Sequence, residues 1–80
     1  MKRQVLHVVH ASADGRWHLN HEGGSNEGSF DTKQAAIEAG RSRAKDVHTR
    51  GGLAQLVVHR EDGSFETEYT YGDDPRRTPG

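Results

Sequence analysis

Two Asp-Gly dipeptides, Asp14-Gly15 and Asp62-Gly63, each separate a β-branched run from a second run that alternates apolar and polar residues. Asp-Gly supplies two residues that tolerate positive φ, the conformation a two-residue hairpin turn demands. Val5-Leu6-His7-Val8-Val9-His10 leads into the first dipeptide, and Trp17-His18-Leu19-Asn20 leads out of it. Leu53 to Arg60 leads into the second, and the stretch from Phe65 to Tyr71 leads out. A chain organised around two hairpins is committed to a sheet. What remains is how that sheet buries one of its faces.

Residues 31–52 supply the cover. Asp31 or Thr32 can cap a helix, with Gln34 in a loose capping-box position. Ala36, Ile37, Gly40, Ala44 and Val47 recur on one helical face. Lys33, Glu38, Arg41 and Lys45 fall on the others. Gly40 costs ~1 kcal/mol relative to alanine inside a helix, and close approach of helix to sheet is the expected compensation. Gly51-Gly52 ends the segment. Gly23, Gly24 and Gly28 read as a loop or wide turn, with Phe30 anchoring a short strand before the helix.

With Asp62-Gly63 as a two-residue turn, Val58 faces Thr67, Leu56 faces Tyr69 and Ala54 faces Tyr71. Phe65 then joins Leu56, Val58 and Tyr69 on the face the helix covers. Val57, His59, Glu66, Glu68 and Thr70 take the outer face. Trp17 and Tyr69 are the expected aromatic anchors of the core. The fold class is α+β: an antiparallel sheet of four or five strands with one helix across one face, in the order β-β-(β)-α-β-β. Residues 1–72 form this single domain, and 73–80 read as a polar tail carrying Arg76 and Arg77.

The order of motifs resembles the small bacterial family catalogued as domain of unknown function 2188. The matching residues are His7-Val8-Val9, Gly15-Arg16-Trp17, Asp31-Thr32-Lys33 with Ala36-Ile37, Ala44-Lys45, Leu56-Val57-Val58-His59, Asp62-Gly63 and Tyr71-Gly72-Asp73-Asp74-Pro75. The resemblance implies no activity. It implies a small soluble bacterial protein of the cell interior.

Composition excludes several chemistries. The chain has no cysteine, so it has no disulfide, no thiolate nucleophile and no zinc site of the cysteine type. No apolar run is long enough to span a membrane. Lys2 and Arg3 precede no apolar stretch of the secretory kind. A cytoplasmic location is expected. The net charge of −1 hides a segregation. Residues 33–60 carry six basic groups against two acidic ones, and residues 61–74 carry six acidic groups and no basic one.

Three sets of side chains are candidates for function. Arg41, Arg43, Lys45 and Arg50 form a basic helix region that suits phosphate, against the plainer reading of a solvated face. His7, His18 and His59 are metal-ligand candidates if they share the outer face, against solvent-facing histidines. Val5, Val9 and Val57 leave apolar surface on the side the helix does not cover, the mark of an interface. Catalysis has the weakest case. Asp73-Asp74 suits a turn, and Ser12, Asp14 and His18 are expected to point apart around the first hairpin. The reading is a non-catalytic binding or dimerising module with no cofactor, its partner a second copy of itself or another protein that the sequence does not name. The alternatives are a nucleic-acid binder using the basic helix and a metal-binding protein using the outer-face histidines.

Overall fold

The computed structural model describes residues 3–72. The expected tail at 73–80, with Arg76 and Arg77, lies outside the described residues. Five strands and one helix follow one another: β1 (Arg3–Ala11), β2 (Arg16–His21), β3 (Asn26–Phe30), α1 (Lys33–Thr49), β4 (Leu53–His59) and β5 (Phe65–Tyr71). They form one sheet in the order β3-β2-β1-β4-β5 with α1 packed across one face. The α+β class and the chain order agree with the sequence. The fully antiparallel sheet does not: β1 and β4 run parallel at its centre, with Leu6 opposite Leu56 and Val8 opposite Val58. The third strand forces this. β1, β2 and β3 alternate in direction, α1 crosses back, and β4 therefore runs the same way as β1.

Strand content explains the order. β1 and β4 hold the longest apolar runs and lie side by side among the three interior strands, β2 being the third. The edges go to β3, which contains Gly28, and to β5, which carries Glu66 and Glu68. Charged edge strands resist pairing with foreign chains.

All three hairpins have longer turns than an Asp-Gly dipeptide alone. At the first, Ala11 pairs with Arg16, so residues 12–15 form the loop, closed by Gly15 N donating to Ala11 O at 2.8 Å. At β4–β5, Arg60 N donates to Ser64 O and Gly63 N donates to Arg60 O, leaving Glu61-Asp62-Gly63 as a three-residue loop. Gly63 has φ +93°, which a Cβ would strain. The β2–β3 connection repeats the same bonds around Glu22-Gly23-Gly24, between His21 and Ser25. Its strand begins at Asn26, inside the stretch expected to be loop.

The longer loop at β4–β5 changes which side chains point where. His59 pairs with Phe65, a bulge follows, and Val58 then pairs with Thr67. The expected pairs Val58–Thr67, Leu56–Tyr69 and Ala54–Tyr71 are all present. Phe65 is not on the covered face, however. It lies opposite His59 and is 56% exposed. Glu66, expected outside, instead forms an ion pair with Lys33 at the start of α1.

The core is one layer between sheet and helix. Leu6, Val8, Leu19, Ala54, Leu56 and Val58 are buried against Ala36 and Ala44. The helix meets the sheet through Ala36, Gly40 and Ala44, spaced four apart. Small residues at this spacing let the helix axis sit close, as Gly40 was expected to do. Trp17, Phe30, Ile37, Val47, Tyr69 and Tyr71 pack around the rim. Thr32 is the N-cap, its Oγ1 accepting from Ala35 N at 3.1 Å. At the other end Gly52 N donates to Val47 O at 2.9 Å, which closes the helix as Gly51-Gly52 suggested.

Candidate functional site: the uncovered sheet face

The helix covers one side of the sheet. Alternation along each strand sends the remaining side chains to the other. Val5, His7 and Val9 come from β1, Gln55, Val57 and His59 from β4, His18 and Asn20 from β2, and Glu68 and Thr70 from β5. Phe65 stands at the rim beside His59.

Polar groups on this face satisfy one another. Gln55 Nε2 donates to Glu68 Oε2 at 2.5 Å. Asn26 Nδ2 donates to Asn20 Oδ1 at 2.9 Å and to His18 Nδ1 at 3.2 Å. His18 Nε2 donates to Asp14 Oδ2 at 3.0 Å. Asp14 and His18 therefore meet, contrary to the expectation that the turn separates them, because a four-residue loop lets Asp14 fold back over β2. Both ring nitrogens of His18 are engaged by Asp14 and Asn26, so neither is left to take a proton from Ser12. The Arg16 backbone N–H, bound to Asp14 Oδ1, holds the Asp14 carboxyl below its ordinary range, and His18 adds to this.

The centre of the face is an imidazole pair. His7 Nδ1 and His59 Nε2 are 2.9 Å apart, with ring centroids separated by 5.2 Å. His7 Nε2 lies 3.3 Å from Glu22 Oε2, and His59 Nδ1 lies 3.1 Å from Gly63 O. A carbonyl and a carboxylate only accept. His59 thus donates through Nδ1 to the Gly63 carbonyl and accepts through Nε2 from His7 Nδ1.

The three histidine candidates are thus divided. His7 and His59 touch, brought together by the parallel β1–β4 register. His18 is tied to the first hairpin and the edge of β3. Among the described residues no group of three or more His, Cys, Asp or Glu side chains is placed to hold an ion. The three valine candidates do share the face, on the two central strands.

The basic residues are divided too. Arg43 pairs with Glu27 on β3, and Arg50 pairs with Asp46 at 3.1 Å. Arg41 and Lys45 line a shallow groove between α1 and β5 with Glu38, Ser42, His48 and Tyr71. Arg41 Nε donates to the Tyr71 hydroxyl at 3.3 Å, and its guanidinium lies 4.9 Å from the Tyr69 ring. That hydroxyl contact raises the Arg41 pKa further. The sequence contained no sign that Glu22 and Glu27, both in the glycine-rich stretch, would reach His7 and Arg43.

The family model described as an uncharacterized protein conserved in bacteria, domain of unknown function 2188, matches residues 6–71. The chain belongs to this family. The match runs from Leu6 in β1 to Tyr71 at the end of β5, so it takes in the imidazole pair, the helix and all three hairpins. No curated protein and no solved structure matches the chain. No helix among the described residues is long and apolar enough to cross a membrane.

Proposed function

We propose that this family member is a non-catalytic interaction module that pairs with a second copy of itself through the uncovered sheet face. The observation that carries the reading is the composition of that face: Val5, Val9 and Val57 on the central strands, with Phe65 exposed at the rim. Polar side chains around them bond to each other and make few demands on solvent. A second copy is favoured over a charged partner because the face mixes imidazoles and carboxylates and has no strong sign of its own. Its size also fits. Five strands ~4.8 Å apart and about six residues long at ~3.3 Å each give roughly 480 Å² per copy. Two copies then bury about 1,000 Å², just below the ~1,200 Å² at which standard specific interfaces begin and in the range of weak, transient ones.

Binding of nucleic acid has less support. Of the four basic candidates only Arg41 and Lys45 share a groove, and Glu38 lines it as well.

Light scattering on chromatographed protein in chelator tests the reading. Wild type should approach twice the monomer mass at several hundred micromolar, and Val57→Asp should remain monomeric while keeping its circular dichroism. A wild-type monomer at that concentration overturns it.

A further inference from the structure

We propose that His7 and His59 are the ligands of a site for a late first-row divalent metal ion, which a second copy completes with the same two imidazoles. This rests on the face-to-face pairing proposed above. Metal-binding imidazoles characteristically give their second nitrogen to a carboxylate or a backbone carbonyl, which fixes tautomer and ring orientation. Both rings have such a partner: Glu22 for His7 Nε2 and the Gly63 carbonyl for His59 Nδ1. The nitrogens left over, His7 Nδ1 and His59 Nε2, face each other at 2.9 Å.

A tetrahedral ion with metal–nitrogen bonds of ~2.0–2.1 Å spaces its ligand atoms roughly 3.3 Å apart, so the pair needs to open by about 0.4 Å from its 2.9 Å contact. Each ring must also turn by roughly 35° so that the two nitrogens, now aimed at each other, converge on one tetrahedral ion. The ion replaces the proton that joins the rings. In the bound state His7 carries its proton on Nε2, towards Glu22, and His59 keeps its Nδ1 proton on Gly63.

Two imidazoles are half of a four-coordinate shell. Val5, Val9 and Val57 around the pair offer no further donor. His7 and His59 stand on β1 and β4, the central strands, which a two-fold axis through the middle of the face brings over one another. The ligand class, neutral imidazole, suits copper, nickel and zinc in preference to magnesium or calcium.

Calorimetric titration of untagged protein with nickel chloride and with zinc chloride, followed by light scattering with and without chelator, tests the proposal. One ion per two chains is expected, with a metal-dependent rise in dimer. His7→Gln and His59→Gln should each weaken binding at least tenfold, and His18→Gln and His48→Gln should leave it unchanged. Metal affinity that survives His7→Gln, or falls equally with His18→Gln, overturns the site. One ion per chain at monomer mass overturns its sharing between copies. A dimer that persists in chelator and takes up no metal overturns the site while leaving the self-association reading in place.

Discussion

Replacing Gly40 with alanine should destabilise this protein, although alanine is the better helix former by about 1 kcal/mol. A Cβ at Gly40 would sit 2.7 and 3.0 Å from the two Leu56 methyls and 3.1 Å from a Leu19 methyl. Leu56 is fully buried and Leu19 is 3% exposed, so neither can swing into solvent. The helix or the leucines must give way. Overpacking of this kind costs ~1–3 kcal/mol, and three contacts inside normal separation put Gly40→Ala near the top of that range. Subtracting the propensity gain leaves a net loss of about 1–2 kcal/mol. In a domain this small, that lowers the melting temperature by roughly 4–16 °C. Thermal melts followed at 222 nm measure it. In a Leu56→Val background, where both crowding methyls are gone, the same substitution should be neutral or stabilising. A Gly40→Ala protein that melts at or above wild type would refute the close approach of α1 to the sheet.

Two further outcomes follow from the β4–β5 hairpin. Phe65→Ser should change stability by less than about 0.5 kcal/mol, as exposed positions do, whereas Tyr69→Ser should cost several times more; urea titration separates them, and equal losses would place Phe65 in the core after all. Asp62 is held below its ordinary pKa of 3.8 mainly by the Ser64 hydroxyl, with the Ser64 backbone N–H adding to it. A carboxylate depressed in the folded state stabilises above its unfolded pKa, and that contribution is lost as pH falls through the folded value. Asp62→Ala should therefore destabilise at pH 7 and approach wild type below pH 3.8; a gap that stays constant to pH 3 would sink this account.

Much of the architecture is legible because it is local. β-branched runs, Thr32 beside a helical stripe and paired glycines after Arg50 each act within a few residues. The register Val58–Thr67, Leu56–Tyr69 and Ala54–Tyr71 followed from the hairpin even though the turn length was wrong, because the extra loop residue and the bulge at Glu66 cancel. Phe65 lies between those two irregularities, and Glu66 is the bulge residue itself. They are therefore the two residues of that strand whose faces a regular register misplaces.

The candidate sites depended on non-local pairing. Val5, Val9 and Val57 share a face by alternation alone, so their grouping needed only the strands. His7 and His59 are 52 positions apart, and their contact needs β1 and β4 to be adjacent and parallel. A sheet without β3 would have allowed an antiparallel arrangement and different neighbours. Arg43 and Arg50 looked like members of one basic surface because a linear charge count cannot see Glu27, or which way Asp46 turns.

The sequence by itself determined that this chain makes two hairpins and one amphipathic helix, and that cysteine chemistry is absent, since those properties reside in short segments and composition. Only the tertiary structure decided the parallel centre of the sheet, the exposure of Phe65, the pairing of the charges and the meeting of His7 with His59. Each of those requires segments distant in sequence to be fixed side by side, and it is the packing of α1 over one face that fixes them.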